Sequence, residues 1–333
     1  MKNKITCLLA GAALFGATAN AEIVLTDDLS AYGYIDMALT DGEGDGNTET
    51  AVAEFELGFA FTPAESKWSA VAELSFDSDT EFDDGGVTDS SAEFETVTIS
   101  YQYSDTLSFT FGNIETYQGF ETFDATGLYQ FSYAGPESSS LYSAGYAVGA
   151  SADGSIGDFD YGVWIGDSEG DRQATDSFEY YLGYNGIENL SVNIAIADDP
   201  YYDTDNIWAS YDYGDFTFAV EYVATDYVDN DGTLAYNGVT YGEDFFAPAV
   251  FELDAMVYMV YKSFGNAGLT LRYTDASINL GGTDFDYEKT TISPSYAFSD
   301  NVFGLVEFST EELDLPGGDT EQDTAAVELI YSF

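Results

Sequence analysis

The chain has 333 residues, with 61 Asp or Glu against seven Lys or Arg, for a formal net charge of −54. It has no His and one cysteine, Cys7, which excludes His- and Cys-based metal centres, His-based catalytic triads and disulfides. Beyond the N-terminus no run of 18 apolar residues reads as a transmembrane helix, and so acidic a chain repels nucleic acid and anionic lipid alike.

Residues 1–21 have the pattern of a secretory signal. Lys2 and Lys4 open it, Ile5 to Ala17 is its apolar stretch, and Ala19-Asn20-Ala21 is the small-residue cleavage site. Cys7 lies too early in that stretch for a lipoprotein anchor. Removing the segment takes away two basic residues and no acid, so the mature part, 22–333, is more acidic still.

From Leu29 onward apolar and polar residues alternate in runs of roughly eight to twelve, the length of a tilted strand crossing a bilayer. Leu29, Ala31, Gly33, Ile35, Met37 and Leu39 form one face of the first run. Ala53, Phe55, Leu57, Phe59 and Phe61 form one face of the second, with Glu54 and Glu56 opposite. Three more runs lie near 68–76, 97–103 and 107–111. After a long connection, further runs fall near 140–151, 159–166, 177–184, 190–197, 206–213 and 216–224. The last five are near 251–261, 269–275, 286–298, 302–309 and 324–333. Sixteen strands result, an even number as bacterial single-chain barrels require. The run Leu128 to Tyr133 is not counted, because it falls inside the long connection.

The fold class expected is therefore all-β, a transmembrane antiparallel up-and-down β-barrel. Two regularities support it. Connections after odd strands hold roughly 8 to 26 residues and those after even strands about 2 to 7, the pattern of long external loops and short periplasmic turns. Even strands also end in outward aromatics, among them Phe59/Phe61, Tyr101/Tyr103, Tyr184, Tyr211/Tyr213, Tyr261, Tyr296/Phe298 and Tyr331/Phe333. Trp68, Phe109, Phe159 and Phe216 open odd strands at the same level, where an interfacial girdle belongs. A soluble, secreted β-sandwich also alternates, but it packs its apolar face inside and gives no reason for Tyr at one level on every second strand.

Four segments resemble the general diffusion porins of Gram-negative outer membranes. Tyr32-Gly33 followed by Ile35-Asp36 is similar to the first-strand motif of that family. Phe111-Gly112-Asn113 is similar to the end of its fifth strand, and Tyr133-Ala-Gly-Pro136 with Leu141, Gly145 and Tyr146 to the segment entering its sixth. Ala326 to Phe333 resembles the terminal pattern with a final Phe, so Tyr331 and Phe333 would carry the signal read by the barrel-assembly machinery. The resemblance implies an outer-membrane location amid lipid, a homotrimer, and a third long connection, about 113–139, folded inward as a constriction. It implies passive diffusion of small hydrophilic solutes, not an enzyme.

The charges depart from that family, whose early strands carry basic residues. Here the early inward positions are Asp36, Glu54, Glu56, Glu73 and Asp77, with Arg272 and Lys289 as the inward cations on late strands. Glu179, Glu221, Glu307 and Glu328 extend the acidic pore wall, and Glu115, Glu121, Asp124 and Glu137 lie on the inward connection. Rings of carboxylates select cations, so a preference for cationic or neutral solutes is expected, weakening at high salt. Tyr117, Phe120, Phe123 and Tyr129 on the connection are either sugar-stacking platforms or wedges against the wall.

A structural or adhesive barrel with a narrow or plugged lumen is the alternative, and Trp164, Tyr181, Trp208, Met256 and Tyr258, read as inward, support it. No cofactor is expected. Asp41-Gly-Glu43-Gly-Asp45-Gly46 opens like an EF-hand, but Val52 stands where its twelfth-position Glu belongs. Weak Ca2+ or Mg2+ binding by external acids is left open, at Asp79, Glu81, Asp83 and Asp84, or at Glu311, Glu312 and Asp314. Asn237-Gly238 between alternating residues predicts a small hairpin in the connection after the eleventh strand.

Overall fold

The computed structural model describes residues 22–42, 48–77, 91–136, 139–142, 145–167, 177–230, 234–236, 239–241, 249–280, 282–314 and 318–333. Numbered in chain order, the first barrel strands are β1 Leu29–Gly42, β2 Thr48–Phe61, β3 Trp68–Asp77, β4 Ser91–Ser104 and β5 Leu107–Glu115. There follow β6 Tyr146–Ile156, β7 Phe159–Gly166, β8 Ser177–Ile187, β9 Leu190–Asp198, β10 Tyr202–Tyr213 and β11 Phe216–Asn230. The last are β12 Ala249–Phe264, β13 Ala267–Leu280, β14 Thr283–Ser299, β15 Val302–Leu313 and β16 Thr320–Ser332.

Each strand pairs antiparallel with the next, and β16 closes on β1 from Thr324 opposite Gly42 to Ser332 opposite Tyr34. Closure gives each of the sixteen described strands a partner on both sides, which a sheet crossing hydrocarbon requires. Gly33 and Phe333 seal the seam with a reciprocal pair of backbone hydrogen bonds, each 2.9 Å. A Cβ on Gly33 would meet the Glu56 carbonyl at 2.1 Å and the Phe333 ring at 3.1 Å, so glycine is needed under the terminal aromatic. Phe333 stacks on Phe55, centroids 6.4 Å apart, and on Tyr331 at 6.3 Å.

Period-2 alternation divides the strands between two environments. On β13, Leu271 is 49% exposed on the outside while Thr270, Arg272 and Thr274 are buried within. At the short-turn end the outer face carries ring pairs across strands. Trp68 lies 4.7 Å from Tyr101 and Phe159 5.0 Å from Tyr184, and Lys262 sits 3.8 Å over Phe216. The turns there are tight: Glu188-Asn189 joins β8 to β9 with Asn189 at φ 63°, and Gly214-Asp215 joins β10 to β11 with Gly214 at φ 63°.

The sixteen strands are those expected from the alternation, and Leu128 to Tyr133 lies in the connection, not in a strand. The strands Leu234–Tyr236 and Val239–Tyr241 pair as the hairpin around Asn237-Gly238. Four expectations need correction. β6 begins at Tyr146 rather than near 140, because the residues before it belong to the inward connection. Met256 and Tyr258 face outward, with Tyr258 stacked 6.5 Å from Tyr273 on the outer surface. Tyr261 faces inward and is not part of the girdle, since it packs against Tyr129 at 4.9 Å. Glu311 is a buried lumen residue that accepts from the Tyr287 hydroxyl at 2.9 Å, not an external-loop acid.

Candidate functional site

The connection between β5 and β6, described at 116–136, 139–142 and 145, enters the lumen, with a 3-10 turn at Ala125–Gly127. Irregular backbone inside a barrel must find partners for its N–H and C=O groups. The wall supplies them strand by strand. Glu179 on β8 accepts from the Thr116 hydroxyl at 2.7 Å and the Tyr117 N–H at 2.8 Å. Asn206 on β10 accepts from Gly119 N–H at 3.1 Å, and Glu221 on β11 from Phe120 N–H at 2.9 Å. Gly119 has φ +98°, and a Cβ there would meet the Tyr142 ring at 2.3 Å. Glu307 on β15 accepts from Ser132 N–H at 3.0 Å and from its hydroxyl. Thr270 on β13 donates to the Tyr129 carbonyl at 2.8 Å.

The two inward cations are bound to the same loop. Arg272 ion-pairs with Glu121 and donates to the Ser132 carbonyl at 2.7 Å and the Tyr133 carbonyl at 2.9 Å. Lys289 donates to the Tyr133 carbonyl at 2.9 Å and lies 3.9 Å from Glu311. Glu121 completes its shell with Gln130 at 2.7 Å and Ala134 N–H at 3.0 Å. Both members of the Arg272–Glu121 pair are almost fully buried. The pair is a latch for the loop.

Aromatic rings fill the space behind it. Phe120 packs edge-on against Trp208 at 5.4 Å, and Tyr117 stacks on Tyr181 at 5.5 Å. Phe123 lies 6.1 Å from Tyr142 and 5.8 Å from Tyr146. Ala134, Leu141 and Tyr142 of the loop join Val223, Leu253 and Val257 of the wall in one buried apolar cluster. Of the two readings for these aromatics, the contacts are those of wedges. Trp164, Tyr181 and Trp208 face inward as expected, and all three take part in this inner packing or line the cavity beside it.

The opposite, early wall has a different character. Tyr32 donates to Glu73 at 2.5 Å and Ser75 to Glu54 at 3.0 Å. One carboxylate oxygen each from Glu54, Glu56 and Glu95 lies within 4.8 Å of the others. A cavity of about 190 Å³ runs between this wall and the loop, lined by Asp36, Glu54, Glu328, Phe123, Leu128 and Tyr133 among others. The loop presents Asp124 here. Burial, and then the charges of Glu54 and Glu73, push its carboxyl up to about 7, against the lowering effect of a hydrogen bond with Glu56. Glu115, at the end of β5, lines a second small cavity with Trp164 and Glu179.

The expected site residues therefore fall into two sets. Glu121, Glu179, Glu221, Glu307, Arg272 and Lys289 hold the loop. Asp36, Glu54, Glu56, Glu73, Asp124 and Glu328 gather on the early side of the lumen. Glu137 lies outside the described residues, as do the side chain of Asp77 and the acids Glu43, Asp45, Asp79, Glu81, Asp83 and Asp84. Glu95 was not expected. A register shift in the β3–β4 pairing, between Ala72 and Leu74, leaves Phe94 and Val97 both outward. Alternation counted back from Val97 therefore misplaces Glu95.

No protein-family model and no curated protein matches the sequence. Solved structures do. OmpF of Salmonella typhi, in complex with daunomycin, superposes with a TM-score of 0.68 at 14% identity, covering 94% of this chain and 100% of that one. An anion-selective porin from Comamonas acidovorans gives 0.64 at 16% identity, covering 92% and 99%. The trimer form of OmpT from Vibrio cholerae gives 0.63 at 15%, covering 92% and 99%. At these identities the likeness is one of fold, and the chain has the sixteen-stranded barrel fold of the general diffusion porins.

Proposed function

We propose that the protein is an outer-membrane porin, a passive diffusion channel for small hydrophilic solutes that prefers cationic and neutral ones. The observation that carries the cation preference is the pairing of charges in the lumen. Arg272 and Lys289 are consumed by loop carbonyls and by Glu121 and Glu311. Asp36, Glu56, Glu73 and Asp124 form no ion pair among the described residues, and further carboxylates, Glu54 and Glu95, stand beside Glu56. Net negative charge around an aqueous constriction attracts cations and raises the barrier to anions. No bond is made or broken, so no catalytic group is required.

The test is a planar-bilayer recording across a salt gradient. A reversal potential of cationic sign, shrinking as salt is raised, is expected. Anion preference, the character of the anion-selective Comamonas porin, would overturn the selectivity; a closed membrane would overturn the channel. The second reading, a structural barrel, is favoured by the apolar cluster that packs the loop onto one side of the lumen, and conductance decides between them.

Export through a signal at 1–21, insertion by the barrel-assembly machinery through Tyr331 and Phe333, and a homotrimer belong to the same proposal. The trimer is supported by the outer face of the early strands. Trp68, Phe76, Phe94, Ile99 and Phe111 are exposed there, and no outward carboxylate is described on β3 to β5. The later strands differ, since Asp203, Asp205 and Asp226 face outward near the long-connection end. The outer face of the later strands is apolar through its middle, as at Ile207, Val220 and Leu271, and acidic only toward that end, so the early strands offer the more uniformly apolar surface to a packed neighbour.

A further inference from the structure

We infer that the passage favours one class of solute, organic amines that carry a flat apolar ring, over inorganic cations and hydrophilic amines, and that Phe131 sets this choice. The inference deepens the channel reading and rests on it. On the late side of the lumen, Ala134, Leu141 and Tyr142 of the loop lie in one buried cluster with Ile278, Phe285 and Tyr287 of the wall. Between the loop and the early wall lies the cavity of about 190 Å³, and its two faces are chemically unlike. The wall contributes Asp36, Glu54 and Glu328; the loop contributes Phe123, Leu128, Phe131 and Tyr133.

Phe131 differs from the rings that wedge the loop. Tyr117, Phe120, Phe123 and Tyr129 each pack against another ring. Phe131 is only half-buried, lines the cavity, and has no ring partner among the described residues. A bare ring beside a water-filled passage is apolar surface for a solute to cover. The loop face is also fixed in shape, since the Tyr133 hydroxyl donates to the Phe123 carbonyl at 2.7 Å.

The wall across the cavity supplies charge. Glu54 accepts from the Ser75 hydroxyl at 3.0 Å, which orients its carboxylate. Asp36 and Glu328 are hydrogen-bonded to each other, an arrangement that takes one proton between them. The acids by themselves would select by charge alone; the apolar face opposite them selects by kind. An inorganic cation gains from the wall only and keeps its water. A ring-bearing amine gains from both sides, with its ammonium toward the carboxylates and its ring against Phe131. The size agrees. A cavity of roughly 150 Å³ holds a benzene ring, so about 190 Å³ leaves room for a ring and a short ammonium arm.

The test is a planar-bilayer recording of the full barrel in sodium chloride, with benzylammonium chloride or glucosammonium chloride added. The two probes have the same charge and similar size, but one ring is apolar and the other is covered in hydroxyls. Benzylammonium should interrupt the sodium current saturably, at about tenfold lower concentration than glucosammonium. Phe131→Ala should bring the two probes together, and Phe131→Tyr should keep them apart. Glu54→Gln should weaken both alike, because each is held by its ammonium. The wild-type comparison stands whether or not a variant folds. Sodium conduction with equal interruption by both probes would overturn this inference and leave the channel reading intact, as would a difference that survives Phe131→Ala. A membrane that conducts no sodium would refute the channel reading, and this inference with it.

Discussion

Arg272 shows how much one residue carries in this lumen. From one buried position it serves Glu121, Ser132, Tyr133 and Thr291. Arg272→Ala leaves the Glu121 carboxylate buried without its cation, a cost of about 3–5 kcal/mol to loop docking. Arg272→Ala should therefore show frequent current fluctuations from a loosened loop, and adding Glu121→Gln should restore part of the quiet state. Glu221 is the complementary case, because it accepts from Phe120 N–H and from Asn206 at 2.8 Å. Glu221→Ala strands two donors and should weaken docking by about 2–3 kcal/mol in an equilibrium unfolding measurement, with Glu221→Gln milder.

Asp124 predicts a pH dependence at the same scale. Its carboxyl is held up to about 7 by burial and its acidic neighbours, so it is neutral well below that pH and charged above it. Cation preference should rise as pH goes from 5 to 8, read as a growing reversal potential, and Asp124→Asn should flatten the rise. The stability sign is opposite. A folded-state value above the ordinary carboxylate range means the folded form holds its proton longer than the unfolded chain. Stability is thus greatest below that range and falls as pH rises through about 7.

The loop as an element is held by rings as much as by charges. Phe120→Ala and Tyr129→Ala each remove a buried aromatic packed against Trp208 or Tyr261, and each should cost docking about 3 kcal/mol. Single-channel conductance should rise in both; unchanged conductance would mean the loop does not set the narrowest section. This element was legible in the sequence as an interruption of the alternation between two strands, rich in aromatics and acids. Its anchoring was not. Ser132 and Glu307 are 175 positions apart, and no local pattern links a loop N–H to a distant wall carboxylate. Alternation located strands wherever the two faces meet different surroundings, as on β13. It failed on β12, where Leu253, Ala255 and Val257 are buried under the loop and Met256 and Tyr258 meet the outside. With both faces apolar, period 2 has no sign.

At the scale of the whole barrel, the outer surface is apolar through its middle, and the later strands add outward acids such as Asp203, Asp205 and Asp226 toward the long-connection end that β3 to β5 do not show among their described residues. Ile99, 54% exposed on the apolar face of β3 to β5, is the place to test which partner covers it. Ile99→Arg should yield monomers by size-exclusion chromatography with light scattering if another copy lies there. A trimer that survives would place lipid there instead, with the substitution then costing less than the roughly 2–4 kcal/mol of a midplane position, because Ile99 stands two residues from the girdle residue Tyr101.

The hooks that hold the loop are spread over β8, β11, β13 and β15. All of them follow the loop in the chain, and they stand in their places only once the cylinder has formed. The order expected is an open barrel first and its narrowing afterwards. Trp208, which Phe120 reaches only in the docked state, marks the moment. In refolding into lipid, closure of the sheet should precede the final change in tryptophan emission, and a newly inserted barrel should pass more current in its first instants than at rest.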